Sequence, residues 1–332
     1  MESFIHIIIL SMLVTTAAAI VRVKDLFAVT MLAGIYGLLS ASFFVLMDAH
    51  DVAFTEAAVG AGISTLLILT TLSMTGRFEK AAENPKSNYK PALALTLVTV
   101  TGALLIYGTQ DMPAFGAADA PVQTHVVPRY LNDSATEIDI PNVVASVLAS
   151  YRGYDTFGEV VVIFTAGIGV LALIMSTVST APVALRASME EHVILRIVSK
   201  MLIPLILIFG LYVQFHGEYG PGGGFQAGVI FASAFFLYAM LFGLTAARKV
   251  VNSNWVQALA ALGVLLYGSV GVLAMINGGN FLDYNFLAQD DVHGQHMGIL
   301  FVELGVGITV ASVMIIIFFT FSTHQQRDGE PD

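Results

Sequence analysis

Three carboxylates stand inside stretches that otherwise carry no charge: Glu56 in VAFTEAAVGAGIST, Glu159 in TFGEVVVIFTAGIGV and Glu303 in MGILFVELGVGITV. An acid surrounded by valine, alanine and glycine is expensive to keep in hydrocarbon, so by default it marks an ion or proton pathway. Each is read as lying within about two turns of the start of its helix, where the helix dipole supports the charged form while burial opposes it. That competition suits a group that takes up and releases a proton, or that binds Na⁺. At helical spacing Glu56 shares a stripe with Gly60 and Ser64, and Glu303 with Gly307 and Ala311. Such small residues leave room beside a carboxyl for water or another helix. Glu159 also reads as an interfacial or N-terminal capping acid.

Other residues could join such a path. His296 precedes Glu303 by seven residues on one helical face, which suits proton entry. Lys200, four residues before Pro204 at the end of an apolar run, reads either as a lysine snorkelling to the interface or as a buried ion-path lysine. His293 and His296 next to Asp290 and Asp291 make a weak metal pattern. The stretch HGEYGPGGGFQAG, from His216, resembles a phosphate-cradling loop at first sight, but it has no lysine where such a loop needs one. It reads instead as a tight hairpin built on Pro221, Gly222, Gly223 and Gly224, with Gly224 and Gly228 continuing as a small-residue face. A second reading has its backbone groups line an outer ion vestibule together with His216 and Glu218.

These residues need helices in a membrane to hold them. The 332-residue chain is 56% hydrophobic and only 11% charged, with a mean hydropathy of +0.80, far from the composition of a soluble domain. A span needs roughly 20 apolar residues. Nine runs qualify: 3 to 21, 25 to 47, 52 to 74, 91 to 107, 157 to 178, 200 to 215, 223 to 245, 256 to 276 and 297 to 321. The first run opens Met-Glu-Ser without a basic region and reads as a retained span. The fold class is therefore an all-α, polytopic membrane protein. The absence of cysteine removes disulfides, thiolate chemistry and Cys-ligated metal sites.

Twelve of the 14 basic residues fall on one side of these runs; only Arg129 and Arg152, both in the long loop after the fourth, fall on the other. The positive-inside rule then puts the N-terminus outside and the C-terminus in the cytoplasm. The acids counted on the outer side, among them Asp48, Asp51, Glu218 and Asp283, fit a net charge of −10 concentrated on that face. Within the long outer loop, PNVVASVLASYRGYD carries Val143, Val144, Val147 and Leu148 at helical spacing and reads as an amphipathic helix lying on the membrane. The stretch from Ala181, APVALRASMEEHVILRIVSK, reads as a second surface helix on the cytoplasmic side and a seam between segments. Ala33, Gly37 and Ala41 form a small-residue packing face.

Residues 195 to 243, with His216 and Pro221 to Phe225 at their centre, resemble the B subunit of the Mrp-type multisubunit Na⁺/H⁺ antiporter. The stretch from Asp25, DLFAVTMLAGIYGLLSASFFVLMDAHDVAFTEAAVGAG, resembles the module at the C-terminal end of the antiporter's large A subunit, or the separate D subunit of membrane-bound hydrogenases. SYRGYDTFGEVVVIFTAGIGVLAL resembles the adjoining E module. The resemblance implies three segments: 1–90 of three helices, 91–186 of two helices and a long outer loop, and 187–332 of four helices. It implies a non-enzymatic, cofactor-free component of a bacterial or archaeal cytoplasmic membrane that helps exchange Na⁺ for H⁺. Its partners would be large A- and D-like channel subunits, related to those of respiratory complex I, and small C, E, F and G subunits; no nucleic acid is implied. Glu56 and Glu159 then occupy the positions of module carboxylates thought to line the path. The same modules also serve redox-driven complexes of the hydrogenase or formate-oxidising type, and a non-conducting scaffold is a third possibility.

Overall fold

Helices are the only regular elements among the described residues, most of the length in long apolar ones, because in hydrocarbon each backbone N–H and C=O must be satisfied within its own segment. The computed structural model describes residues 2–79, 91–114, 116–175 and 192–328. In chain order the helices are α1 (Glu2–Arg22), α2 (Leu26–Leu46), α3 (residues 50–75), α4 (Pro91–Gly108), α5 (residues 143–151), α6 (Gly153–Met175), α7 (Val193–His216), α8 (Gly224–Phe242), α9 (Leu244–Val250), α10 (Ser253–Ile276) and α11 (Asp291–Asp328).

Eight of the described helices are long and apolar enough to cross a membrane, one fewer than the nine runs suggest. The missing one is α4, whose apolar part, Ala92–Gly108, is shorter than the others. At 1.5 Å per residue it rises about 26 Å, just under the ~30 Å hydrocarbon core. The surface helix expected from Ala181 lies mostly outside the described residues, as do the expected segment boundaries near 90 and 186.

The chain divides into two compact units. Glu79–Asp133 forms one, containing α4, a proline-started turn at Pro121–His125 and a widened helical turn at Arg129–Asp133. The other, Met1–Phe78 with Ser134–Asp332, is organised around α11. That helix is 38 residues long and the most enclosed of the spans. Ile299, Val302, Val306, Val310 and Val313 supply its buried stripes.

Glycines set how closely the other helices approach α11. A Cβ on Gly228 of α8 would stand 2.7 Å from the Gly307 carbonyl, and one on Gly167 of α6 would stand 3.0 Å from Val313. Gly263 of α10 lies against the backbone of Gly305 and Thr309. The same device joins α2 to α3, where a Cβ on Gly37 would stand 2.8 Å from Ala61 N. Gly37 and Ala41 of the expected face of α2 are buried, together with Thr30, and Gly34 also packs against α3, where a Cβ would stand 2.7 Å from Thr65 Oγ1.

Asp25 closes the far end of the α2–α3 pair. Its carboxylate caps α2 by accepting from Phe27 N (3.0 Å) and receives a two-pronged bond from Arg77 (Nη2 to Oδ2, 2.7 Å). The arginine holds that carboxyl below the usual carboxylate range.

Helix α5 seats one face on the protein. Asn142 caps it by accepting from Val144 N (3.0 Å), and its buried face is Ala145, Ser146 and Ala149, packed on protein. Val144 and Leu148 stay exposed. Small side chains let this backbone dock closely, which the spacing of the larger apolar residues does not reveal.

Candidate functional site

The site lies where the loop between α7 and α8 meets α3, α5 and α11. Gly217 to Gly223 turn the chain back: Tyr219 N and Gly220 N donate to His216 O (2.9 and 3.1 Å), and Gly223 N donates to Val213 O (3.1 Å). Gly223 has φ 118°, a conformation that glycine adopts without penalty. A Cβ on Gly222 would stand 2.7 Å from Val213 O. Asn142 clamps the turn from outside, its Nδ2 donating to Gly217 O (2.9 Å) and Gly220 O (3.0 Å) while its backbone N donates to Glu218 O (3.0 Å). Asp51 Oδ1 accepts from Gly222 N (3.3 Å).

Glu303 projects from α11 into this turn. A Cβ on Gly223 would lie 3.3 Å from its Oε1, and one on Gly217 would lie 3.3 Å from its Oε2. The glycines therefore make the room that the carboxylate occupies. Glu303 is twelve residues past the start of α11 at Asp291, beyond the first turn to which a helix dipole reaches. The expectation that its own helix supports its charge is corrected: the nearer helix start is that of α8, at Gly224. Glu56 and Glu159, each six residues into α3 and α6, are likewise past the first turn of their own helices.

Asp51, Thr55, Glu159, Gln226 and Glu303 share one cavity of about 530 Å³, walled by Val144 and Leu148 of α5, Gly222 to Gly224, and Tyr267 of α10. Gln226 Nε2 donates to Thr55 Oγ1 across it (2.9 Å). A second cavity of about 380 Å³ shares Asp51, Val52 and Val144 with the first and adds Asp48, His50, Asn142 and Tyr219. Carboxylates thus line both cavities, Asp48 and Asp51 the smaller and Asp51, Glu303 and Glu159 the larger.

Two buried tyrosines fix the α5 wall. Tyr267 OH donates to Gly153 O (2.7 Å), and Tyr284 OH donates to Ala149 O (2.9 Å). Burial raises the Tyr284 pKa above its ordinary value, so its hydroxyl stays protonated and donates this bond at neutral pH.

The other sequence candidates lie apart. Glu56 opens the π-helical stretch Glu56–Ile63 of α3, whose wide register is fixed where Ser64 N donates to Val59 O five residues back. Its carboxyl folds onto Gly60 of the same helix, and Glu56 does not line the cavity. His216 stacks on Tyr212 (4.8 Å between centroids, 20° between planes) rather than facing Glu303. Lys200 is exposed and sits 5.5 Å from the Phe242 ring, at the opposite end of α7 from the hairpin. His296 Nδ1 lies 3.5 Å from Glu218 Oε2 at the hairpin end of α11. His293 N donates to Asp290 Oδ2 (3.0 Å) at the start of α11.

Asp51, Thr55, Gln226 and Asn142 were not foreseen as site residues. Asp51 and Thr55 are one helical turn apart, so they share the face of α3 that lines the cavity, a spacing legible once the helix is known to begin at His50.

Comparison with known proteins adds the family. Residues 194–316 match the model described as "Domain related to MnhB subunit of Na+/H+ antiporter". Residues 11–77 match the MbhD model and residues 99–187 the MbhE model, which describe the D and E subunits of MBH. The putative antiporter subunit mnhB2 of Staphylococcus haemolyticus (strain JCSC1435) is 31% identical over 139 residues, 40% of this chain and 96% of that protein. The chain belongs to the MnhB antiporter-subunit family. The mnhB2 protein of Staphylococcus aureus (strain Newman) relates to this MnhB-family chain in the same way, at 32% over 136 residues and 96% of its length. Among solved structures, the Mrp complex from Dietzia sp. DQ12-45-1b contains a chain with the same fold, matched over 98% of this chain and 35% of that one with TM-score 0.72 and 24% identity. A chain of the membrane-bound sulfane sulfur reductase, an archaeal respiratory membrane complex, matches over 69% of this chain and 97% of its own length, with TM-score 0.55 and 29% identity.

Proposed function

We propose that this MnhB-family chain is a subunit of a multisubunit Na⁺/H⁺ antiporter, and that the cavity lined by Asp51, Glu159 and Glu303 is a station on its cation and proton path. The convergence of those three carboxylates, drawn from α3, α6 and α11, carries this reading. Ionised, they attract a monovalent cation, and the side-chain oxygens of Thr55 and Gln226 are hard ligands beside them. Protonation removes the charge and with it the attraction. A carboxylate that holds either H⁺ or Na⁺, but not both, gives exchange without any redox cofactor. Glu303 is best placed for that role, since it faces the hairpin and the start of α8.

The chain acts as a transporter component rather than an enzyme. It assembles with large A- and D-like channel subunits and small C, E, F and G subunits in a bacterial or archaeal cytoplasmic membrane. The test is Na⁺-dependent dissipation of ΔpH in everted vesicles carrying the whole complex. Glu303→Gln is expected to abolish exchange while assembly, read on native gels, persists. Unimpaired exchange in both Glu303→Gln and Glu159→Gln would instead mark the chain as a scaffold.

A second reading rests on the match to the sulfane sulfur reductase chain, nearly all of which this chain covers. In that setting the same cavity would serve a complex driven by electron transfer elsewhere. Co-purification with iron–sulfur subunits would favour it over secondary antiport.

A further inference from the structure

Glu218 and His296 form a titratable pair outside the carboxylate cavities. His296 Nδ1 lies 3.5 Å from Glu218 Oε2, and neither residue lines the cavity of Asp51, Glu159 and Glu303 or the smaller one beside it. Both side chains are partly exposed, His296 at 35% and Glu218 at 21%, so the pair reaches solvent at the hairpin end. Its other side faces Glu303. A Cβ on Gly217, the residue before Glu218, would stand 3.3 Å from Glu303 Oε2, and the charge of Glu218 is felt at the Glu303 carboxylate. His296 and Glu303 stand two turns apart on α11, about 10 Å along its axis, and the hairpin brings Glu218 near both.

Both members are held in place. Asn142 N donates to Glu218 O (3.0 Å), which fixes the hairpin backbone there. Gln295, next to His296, accepts from Ser150 Oγ (2.6 Å) and donates through Nε2 to Asn285 Oδ1 (2.6 Å), which pins that turn of α11. The other ionisable groups on the neighbouring segments are engaged or stand apart. Tyr151 OH donates to Glu137, Arg152 pairs with Asp155, Tyr284 OH donates to Ala149 O, and His216 stacks on Tyr212. Asp283 precedes the short turn Tyr284–Leu287, and Asp290, Asp291 and His293 gather at the start of α11. Among the described residues, Glu218 is the one acid paired with His296.

A partly exposed ion pair adds only about 0–1 kcal/mol to stability, so holding the fold is a weak reason for this one. Its chemistry is more specific. Imidazole exchanges protons near neutral pH and has two nitrogens to pass them between, whereas a hard cation prefers oxygen ligands and is repelled by imidazolium. We infer that His296 and Glu218 form a proton-only branch to Glu303, separate from the oxygen-lined cavities that take the cation. The branch rests on the carboxylate site being where exchange occurs. In the inward step His296 Nε2 gains a proton from bulk water. The Nδ1–H bond breaks as an O–H bond forms on Glu218, directly after a small rotation or through one water. The proton then passes to Glu303, which restores the Glu218 carboxylate and leaves the ring neutral.

The test measures radioactive sodium uptake by the intact complex in proteoliposomes under a fixed, buffered pH difference. His296→Ala, His296→Gln and Glu218→Gln are each expected to be at least roughly tenfold slower at saturating Na⁺, with half-saturating Na⁺ unchanged and assembly intact on native gels. His296→Gln keeps a donor for Glu218 but does not titrate, so a purely structural pair would survive it. Imidazole present on both sides is expected to restore most of the rate in His296→Ala and none in Glu218→Gln, and tetramethylammonium at the same concentration to restore neither. Wild-type rates in the His296 and Glu218 variants, with Glu303→Gln still inactive, would overturn the branch and leave the carboxylate site standing. A full rate in Glu303→Gln would remove the site and the branch with it. A loss in His296→Ala that imidazole does not relieve would overturn the branch, and so would a raised half-saturating Na⁺ at unchanged maximal rate.

Discussion

Gln226 Nε2 donates to Thr55 Oγ1 at 2.9 Å, joining the start of α8 to α3 across the carboxylate cavity. Thr55 lies in the segment matched to MbhD and Gln226 in the segment matched to MnhB, so this one bond ties the two families' parts together at the site. A double-mutant cycle with Thr55→Val and Gln226→Leu measures it. Each single change is expected to destabilise the complex, and the pair to show a coupling of about 0.5–1.5 kcal/mol in thermal or denaturant melts. Strict additivity would mean that the bond does not hold the helices.

The three intramembrane glutamates should rank by position rather than by sequence pattern. Glu303→Gln and Glu159→Gln are expected to lower Na⁺-driven ΔpH dissipation at least roughly tenfold, equivalent to ~1.4 kcal/mol. Glu56→Gln should have a smaller effect, because its carboxyl rests on Gly60 outside the cavity. Equal losses in all three would move the path toward the π-helical stretch of α3.

Asn142 holds the hairpin through two side-chain bonds, to Gly217 O and Gly220 O. Asn142→Ala leaves two carbonyls unpaired and should cost about 1–3 kcal/mol. Because the freed turn carries the glycines that face Glu303, exchange should also slow, and hydrogen exchange should rise at residues 217–223. Unchanged protection there would show that the turn is held by its own backbone bonds.

Glycine substitutions should separate close packing from simple helix propensity. Gly228→Ala places a methyl 2.7 Å from Gly307 O and 2.9 Å from Val310 Cβ, and overpacking of this kind costs typically ~1–3 kcal/mol. Gly102→Ala, in α4, meets no atom within 4 Å and should stabilise by about 1 kcal/mol through propensity alone. Melting temperatures of the two variants should therefore move in opposite directions.

The Asp25–Arg77 pair predicts an acid-side dependence. The Asp25 carboxyl is depressed in the folded chain, so its contribution is full at neutral pH and is lost only as pH falls through that depressed value. Asp25→Asn keeps a capping oxygen but removes the charge, and Asp25→Ala removes both. Melting temperature should fall in that order at neutral pH. The gap between wild type and Asp25→Asn should narrow in high salt and vanish at strongly acidic pH. A gap that persists in acid would assign the effect to capping alone.

Apolar run length and the thickness of a bilayer were enough to fix the all-α, multi-pass class from the sequence, along with the intramembrane acids and the glycine turn. Those are local properties: a run either spans or it does not, and an acid within it is costly wherever its neighbours lie. The short α4 shows where that reasoning thins, since two or three residues separate a span from a shorter helix. Which acids meet was settled only by packing across α3, α6 and α11, elements far apart in the chain, whereas the neighbourhood of Glu56 and Gly60 already follows from helical spacing. The close seating of α5 by its alanines and serine likewise depends on partners far along the chain, notably Tyr284 and Gln295. Hydrophobic spacing reports how much apolar surface a helix carries, whereas the fit of small residues against a distant backbone decides which face is buried.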